Sequence, residues 1–344
     1  MTPDRGFRSG PGGVGGGLGM TASGQRILVL RGGAIGDFVL TLPALTALRA
    51  HHAGAPLAVL GRPHIVPLAQ AGGLADEVRS LEDRRLTGFF IRGGPLDPEW
   101  AAFFSRCALV VSYLFDPEGV FRENLRHCSP ARIVQGPHRP DESQPVHAAD
   151  VYLRPLEALG LTGLDPVPRL RLHARGSGAE ERPAPARPVL ALHPGSGSER
   201  KNWPEDRWAA LIDALLGETD AHLLLVGGEA EGERVERLAA GSSAARVERV
   251  THLPLVELAR RLSECTALIG HDSGISHLAS ALGLPGVALW GDSIEAVWRP
   301  RSDRWLVLRD PAGLSALPVS RVLTAAKSLL TSKAEGPGLF TKSP

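Results

Sequence analysis

Short apolar runs alternate with segments in which apolar residues recur every three or four positions. The first run, ILVL at 27–30, precedes a helical pattern whose apolar stripe extends from Phe38 to Leu48. Further apolar runs at 56–61 and 107–114 are followed by helical patterns of the same kind. This alternation is typical of βαβ units around a parallel sheet.

The alternation is interrupted once. A long helix is predicted at 147–161, after which 171–188, RLHARGSGAEERPAPARP, is rich in Pro, Gly and polar residues and is interpreted as a linker. A second alternating set starts at VLALHPG. We therefore predict an α/β protein with two Rossmann-like domains whose parallel sheets face a central cleft. The predicted parts are a disordered Gly-rich tail at 1–24, an N-terminal domain at 25–170, the linker at 171–188, a C-terminal domain at 189–317, a helix at 318–332 and a tail at 333–344.

The composition disfavours nucleic-acid-binding, membrane-spanning and disulfide-rich proteins. The 344 residues are 43% hydrophobic and 22% charged, and the net charge of +1 gives no reason to expect a nucleic-acid partner. No apolar run approaches the roughly 18 residues of a membrane span. Three widely separated cysteines, Cys107, Cys128 and Cys265, suggest neither a disulfide framework nor a zinc site, so we expect a reducing cytoplasm. The first residues lack the apolar block of a signal peptide, and Met20 is a second candidate start.

Four polar motifs each follow a predicted strand. In two-domain folds of this kind, ligands bind outside the carboxyl ends of the strands, in the cleft. The motifs are RGGAIGD at 31–37, HPGSGSERK at 193–201, GGEAEGE at 227–233 and HDSGISH at 271–277. Because all four occupy equivalent positions, we expect them to meet in one site.

In RGGAIGD, Gly33 and Gly36 let the backbone approach a ligand closely. Asp37 is either an ordinary acid at a helix start or a carboxylate held beside a substrate. The run lacks the G-x-G-x-x-G spacing and the later acid of a nicotinamide site, so that class is disfavoured. A formal G-x-G-x-x-G at 10–15 has neither a strand before it nor a helix after it.

HPGSGSERK combines two hydroxyls, Ser196 and Ser198, with two cations, Arg200 and Lys201, just before a helix that begins near Pro204. Small residues, hydroxyls and cations beside a helix start are typical of a phosphate site. The alternative is a solvated basic turn. A Walker A loop is excluded because its glycine and lysine spacing is absent.

HDSGISH puts Asp272 and Ser273 at a helix start, with His277 one turn further on. They either cap the helix or place its amides against a diphosphate. No G-x-S-x-G elbow supports a serine hydrolase, and the five-residue spacing of Asp272 and His277 disfavours a metal site. In GGEAEGE, Glu229 and Glu231 either accept hydrogen bonds from a ribose or simply start a charged helix.

Together, four stretches resemble glycosyltransferase family 9, the ADP-heptose:lipopolysaccharide heptosyltransferases. They are ILVLRGGAIGDFVLTLPALTALR, HPGSGSERKNWPEDRWAAL, LLVGGEAEGERVERLA and LIGHDSGISHLASALGLPGVALWGDS, and the similarity runs from about residue 26 to 310. The resemblance implies a GT-B fold and an inverting transfer of heptose from ADP-heptose to a hydroxyl of the lipopolysaccharide inner core. It implies no cofactor and no metal. The N-terminal domain would face the acceptor and the C-terminal domain would bind the nucleotide-sugar.

The resemblance also implies roles for single residues. Asp37 would be the general base and Lys201 would bind the donor phosphate and support catalysis, while Glu231 would hold the ribose, with Glu229 as a substitute in that alignment. The residues implied to bind the nucleotide-sugar are Gly33, Gly36, Ser196, Gly197, Ser198, Lys201, Glu231, Asp272, Ser273, Gly274 and His277. The expected acceptor is a lipid A–Kdo glycolipid, which places the protein in the cytoplasm with a peripheral contact to the inner membrane leaflet.

Residues 79–146 carry no motif that matches the family, and acceptor recognition is expected there. A GT-B transferase with another nucleotide-sugar or surface glycan, an epimerase of the same fold, and a non-catalytic nucleotide- or glycan-binding relative remain as alternatives. The nucleotide released in turnover distinguishes the enzymes among them.

Overall fold

The N-terminal half folds around a parallel sheet with β1 at its centre. The computed structural model describes residues 25–172, 187–228, 231–240 and 244–331, so both predicted tails and most of the predicted linker lie outside the described residues. The strands are β1 (Arg26–Arg31), β2 (Leu57–Gly61), β3 (Glu77–Ser80), β4 (Cys107–Ser112) and β5 (Arg132–Gln135), in the order β3-β2-β1-β4-β5. Val29 of β1 pairs with Val59 of β2 and with Val111 of β4, and all three are fully buried.

The helices of this half are α1 (Ile35–Val39), α2 (Leu42–His51), α3 (Pro67–Ala71), α4 (Pro98–Ser105), α5 (Val120–Cys128) and α6 (Ala148–Leu153). The helix predicted after β1 is divided into α1 and α2. The long helix predicted at 147–161 is wrong beyond Leu153, because the chain continues as a 3-10 helix, Arg154–Leu159, with Pro155 in its first turn. Proline has no N–H for an α-helical hydrogen bond, and Gly160 ends the turn with φ 79°.

The C-terminal half contains a second parallel sheet. Its strands are β6 (Val189–Leu192), β7 (His222–Gly227), β8 (Val247–Thr251), β9 (Ala267–His271), β10 (Gly286–Leu289) and β11 (Trp305–Leu308), in the order β11-β10-β9-β6-β7-β8. Its helices are α7 (Glu205–Glu218), α8 (Gly232–Ala240), α9 (Leu255–Ser263), α10 (Gly274–Ala281), α11 (Glu295–Trp298) and α12 (Val319–Thr331). The helix predicted at the C-terminus is α12, which packs against α7 and the sheet.

The two halves share part of their core. Buried side chains of α2 and α6 in the first half form a continuous cluster with those of α9 and α10 in the second. The segment that leaves the first half also touches the second, since the Leu170 amide donates to the Ala281 carbonyl over 2.8 Å. This contact joins the two halves at the C-terminal end of α10.

Candidate functional site

A cleft of about 760 Å³ separates the carboxyl ends of β1 and β2 from those of β6, β7 and β9. Six of the predicted binding residues line it: Gly33, Ser196, Gly197, Glu231, Ser273 and Gly274. The other predicted residues are not among the lining residues, and their contacts are described below: Gly36, Asp37, Ser198, Lys201, Asp272 and His277. All four motifs therefore meet at one cleft, as their positions after strands predict.

The two domains touch where α1 and α10 begin. A Cβ placed on Gly274 would lie 2.6 Å from the Ile35 Cβ and 2.9 Å from the Gly36 amide nitrogen, so only glycine allows this approach. On the other side, a Cβ on Gly36 would lie 3.2 Å from the His277 ring. The two glycines thus bring the RGGAIGD and HDSGISH motifs into direct contact.

Asp37 occupies the first turn of α1, and its two carboxylate oxygens have different surroundings. Oδ1 accepts a hydrogen bond from the Tyr152 hydroxyl over 3.1 Å and lies 3.5 Å from the Arg31 guanidinium. Oδ2 accepts from the Ala34 amide over 3.0 Å and lies beside Gly33, where the backbone has φ 90°. Because Gly33 and Ala34 line the cleft, Oδ2 is the oxygen on the cleft side. Asp37 therefore bonds the start of its own helix, and its Oδ2 lies next to the cleft lining, although Asp37 is not itself one of the lining residues.

The HPGSGSERK loop is held at both ends by a buried histidine. The His271 Nε2 accepts from the Trp203 amide over 2.8 Å, so its Nδ1 carries the proton and donates to the Gly195 carbonyl over 3.2 Å. Burial lowers the pKa of His271 to about 3, which keeps the ring neutral. Within the loop, the Ser196 hydroxyl lies 3.0 Å from the Ser198 carbonyl oxygen. The conformation of the loop is therefore held by hydrogen bonds within the protein alone.

Lys201 ends this loop and forms an ion pair with Asp272, at 2.6 Å between Nζ and Oδ2. The Lys201 side chain is 43% exposed, whereas that of Asp272 is 10% exposed. Next along the chain, Ser273 caps α10 by accepting from the Ser276 amide over 3.4 Å. The capping interpretation of Ser273 is thus correct, and the helix start nevertheless faces the cleft.

The start of α10 offers donors to an anion. The Gly274 and Ile275 amides have no acceptor among the described residues, and both residues line the cleft. Free amides at a helix start favour negative charge. Lys201 lies on the same side through its pairing with Asp272. These groups together form a donor-rich wall, in which Asp272 balances the charge of Lys201.

Glu231 joins two loops of the C-terminal domain. Its Oε1 accepts from the Gly197 amide over 3.1 Å and its Oε2 from the Gly228 amide over 3.0 Å. A Cβ on Gly195 would lie 1.9 Å from the Glu231 Cγ, so the carboxylate lies tightly against the loop. The predicted substitute Glu229 lies outside the described residues.

Two further histidines at this wall are buried and uncharged. Burial lowers the pKa of His277 to about 4, although the carboxylates of Asp272 and Asp37 favour its charged form. Burial likewise lowers the pKa of His193 to about 4, and its Nδ1 lies 3.4 Å from the Ser273 hydroxyl. Neutral rings of this kind act as hydrogen-bonding groups at neutral pH.

Several residues of the site were not identified from the sequence. Arg31, Tyr152 and His271 act through contacts that only the fold creates, and no spacing in the chain indicates them. Arg62 and His64 line the cleft from the N-terminal domain. An apolar wall faces them and is formed by Val226, Val250, Leu253, Leu255, Leu258 and Ile275. A pocket that is mostly apolar with a few convergent polar groups is typical of small-molecule sites.

Two kinds of feature are absent from the part of the chain that the structure describes. No group of three or more His, Cys, Asp or Glu side chains there is arranged to hold a metal ion. No helix there has the length and hydropathy that a membrane span requires.

Comparisons with known proteins agree with this architecture. Residues 137–316 match the family model described as glycosyltransferase family 9 (heptosyltransferase). The chain is 36% identical to lipopolysaccharide heptosyltransferase 1 of Pseudomonas aeruginosa over 107 residues, which is 31% of this chain and 30% of that relative. The match therefore spans less than a third of the length of that relative.

Solved structures show the fold. A family 9 glycosyltransferase from Veillonella parvula has a TM-score of 0.72 at 22% identity, covering 90% of this chain and 98% of that one. The Escherichia coli heptosyltransferase WaaC, solved with ADP, has a TM-score of 0.67 at 20% identity and covers 88% and 99%. The predicted GT-B arrangement of two parallel-sheet domains is therefore confirmed. Since the family model spans more than half of the sequence, this chain belongs to glycosyltransferase family 9, the heptosyltransferase family.

Proposed function

We propose that this chain transfers a heptose from ADP-heptose to a hydroxyl of the lipopolysaccharide inner core, with inversion at the anomeric carbon. One observation carries the proposal: a carboxylate of one domain and hydrogen-bond donors of the other lie together where the two domains touch. The carboxylate is Asp37, and the donors are Lys201 and the amides of Gly274 and Ile275. The charges of Asp37 and Lys201 both act on His277, and Gly274 and Ile275 line the cleft. Relatives and solved neighbours named as heptosyltransferases support the sugar, and neighbours solved with ADP and with ADP-2-deoxy-2-fluoro heptose support the nucleotide.

In this mechanism the acceptor hydroxyl attacks the anomeric carbon from the face opposite the diphosphate. Asp37 Oδ2 takes the hydroxyl proton, the new glycosidic bond forms, and the bond from the sugar to the diphosphate breaks. The electron pair leaves with ADP. Lys201 and the α10 amides stabilise the negative charge that develops on the leaving group, so the reaction requires no metal. Lys201 exchanges Asp272 for the diphosphate as the donor binds.

The other binding residues have supporting positions. We propose that Glu231 accepts from the ribose hydroxyls with the lone pairs that its two amide contacts leave open. Gly33, Gly36 and Gly274 keep the contact between the domains close. The remaining members of the proposed donor site are Ser196, Gly197, Ser198, Asp272, Ser273 and His277.

The acceptor is proposed to be a lipid A–Kdo glycolipid, reached by peripheral contact with the inner leaflet from the cytoplasm. Large apolar side chains exposed on the N-terminal domain support this contact: Phe90, Ile91 and Phe115 are 47%, 52% and 68% exposed. Exposed aromatic and aliphatic side chains of this size are suited to a membrane interface.

Nucleotide release from the purified chain tests the proposal. The donors are ADP-heptose, a UDP-sugar and a GDP-sugar, with deacylated lipid A–Kdo as the acceptor. We expect release from ADP-heptose alone, and only with the acceptor present. We also expect Asp37→Asn to lower kcat by about 10²–10⁴-fold. Asp206→Asn, an exposed acid in the first turn of α7, is the matched control and leaves kcat unchanged.

Each other result rejects a defined part of the proposal. Release of UDP or GDP rejects the donor. If the chain binds ADP but transfers no sugar, either the proposed acceptor or the proposed catalytic role of the chain is rejected. This is the result expected of a non-catalytic, nucleotide-binding relative. Failure to bind ADP rejects the nucleotide site.

A further inference from the structure

Arg31 lies at the end of β1, and its charged side chain is only 1% exposed. Its Nη2 and Nε donate to the Asp37 carbonyl over 3.1 and 3.3 Å, and its Nη1 donates to the His138 carbonyl over 2.9 Å. The same Nη2 lies 3.5 Å from Asp37 Oδ1. A buried guanidinium is costly to desolvate, and here most of its donors are directed at one residue.

The Asp37 carbonyl is available because α1 ends early. The Thr41 amide donates to the Phe38 carbonyl instead of continuing the α-helical pattern to Asp37. The Asp37 carbonyl instead accepts hydrogen bonds from the Thr41 hydroxyl, over 2.8 Å, and from Arg31. The backbone of Asp37 is therefore held by two side chains at a helix break.

Tyr152 of α6 holds the side chain of the same residue. Its ring centroid lies 4.3 Å from the Arg31 guanidinium carbon, and its hydroxyl donates to Asp37 Oδ1. Burial raises the pKa of Tyr152 to about 12, so the hydroxyl stays protonated. Tyr113, just after β4, bonds only the main chain of this helix: its hydroxyl donates to the Tyr152 carbonyl over 2.6 Å.

We propose that Arg31 and Tyr152 are positioning residues for transfer: they hold Asp37 Oδ1 so that Oδ2 faces the acceptor hydroxyl. The inference rests on the proposed role of Asp37 as the base. A carboxylate on a short helix otherwise samples several rotamers, and a base must lie within hydrogen-bond reach of the proton that it takes. Arg31 fixes the main chain and Tyr152 fixes the carboxylate.

Tyr152→Phe removes the hydroxyl and keeps the ring against Arg31. Tyr113→Phe is a matched control, because it loses an equally buried hydroxyl that bonds a carbonyl and not Asp37. We expect Tyr152→Phe to lower kcat by about tenfold or more, the usual effect of losing a hydrogen bond to a charged group, with the KM for ADP-heptose within about twofold of wild type. Tyr113→Phe keeps kcat near wild type. Equal kcat losses in both variants, or a loss in KM alone, would overturn the proposal.

A double-mutant cycle tests the contact without any turnover. Urea unfolding of Tyr152→Phe, Asp37→Ala and the double variant is compared with the same cycle for Tyr113→Phe. We expect the Tyr152 cycle to be non-additive by about threefold or more in the unfolding equilibrium constant, and the Tyr113 cycle to be additive. An additive Tyr152 cycle overturns the proposed positioning.

The two proposals fail separately. If Asp37→Asn keeps wild-type kcat, Asp37 is not the base and the positioning of a base is overturned with it. If Asp37→Asn abolishes transfer while Tyr152→Phe and the cycle show no effect, the proposed function stands and only the positioning fails.

Discussion

Asp37 on the N-terminal side of the cleft and Lys201 on the C-terminal side each have a partner of opposite charge, yet their surroundings differ. Arg31, the partner of Asp37, is almost completely buried and bonds two main-chain carbonyls as well. Lys201 is 43% exposed and has Asp272 as its ion-pair partner. A buried network resists rearrangement, whereas a partly exposed pair exchanges partners easily. Under the proposed roles, Asp37 is held in place before any ligand binds, whereas Lys201 is able to exchange Asp272 for a phosphate.

The largest effect expected from this difference is on stability. Arg31→Met leaves the His138 carbonyl without its donor, the Asp37 carbonyl with the Thr41 hydroxyl alone and the Asp37 carboxylate without its buried cation, and we expect a loss of about 3–5 kcal/mol in the free energy of unfolding. Lys201→Met removes a partly exposed pair and costs about 0–1 kcal/mol. Urea unfolding measures both variants. Similar losses of unfolding free energy in Arg31→Met and Lys201→Met would mean that the surroundings of Asp37 and Lys201 do not differ as described.

The next effect concerns the contact between α1 of the N-terminal domain and α10 of the C-terminal domain. Gly274→Ala adds a Cβ within 3 Å of Ile35 and of the Gly36 backbone, so α1 and α10 must move apart. A displacement approaching 1 Å at a reacting centre costs about 10²-fold in rate, and we expect a loss of that size in kcat. Gly217→Ala in α7 is the control, because a Cβ there meets no atom within 4 Å. Unchanged kcat in Gly274→Ala would show that the contact does not set the geometry.

A smaller expected effect is the loss of folding stability at acidic pH. Burial lowers the pKa values of His193, His271 and His277 to about 4, 3 and 4, below the ordinary value of about 6.5. Between the lowered pKa values of the folded domain and the ordinary value of about 6.5, the unfolded chain therefore binds more protons than the folded domain. Stability is full above about pH 6.5 and decreases toward pH 4, by at most about 1.4 kcal/mol per pH unit for each histidine.

Urea midpoints at pH 7.5 and 5.0 measure this slope, since most carboxylates remain ionised over that range. Five of the six tryptophans lie in the C-terminal half, so fluorescence reports chiefly on the domain that holds these histidines. His271→Asn flattens the slope, whereas His127→Gln, an exposed site, does not. A midpoint that stays constant between the two pH values would contradict the prediction.

The sequence predicts the interior of the fold better than its edges. Central strands such as β1 and β9 are continuous apolar runs because helices cover both faces of a parallel sheet. The edge strands β5 and β8, RIVQ and VERVT, were not predicted because they are short and their exposed polar residues, among them Arg132 and Glu248, interrupt the apolar run. The break between α1 and α2 was also missed, since it depends on where the Asp37 carbonyl finds its donors.

The candidate site was predictable in part for a similar reason. Motif residues follow strands in the sequence, so their meeting at one cleft could be predicted from the alternation of elements. Tyr152 lies 115 residues from Asp37, and nothing in the local pattern around it distinguishes it from a core tyrosine. The same holds for His271, whose two hydrogen bonds span more than 60 residues each. Contacts of this range arise only from tertiary structure.

The most direct test of a base on one side and a phosphate site on the other is ADP affinity, measured by titration calorimetry alongside kcat. We predict that Asp37→Asn binds ADP within about threefold of wild type while its kcat falls by about 10²–10⁴-fold. Lys201→Ala weakens ADP binding by about tenfold or more, as expected for loss of a charge-assisted contact. The control Lys327→Ala removes a lysine of the same exposure, paired with Glu218, and changes neither quantity. If Asp37→Asn weakens ADP as much as Lys201→Ala does, or keeps its kcat, the division of roles between the two sides is wrong.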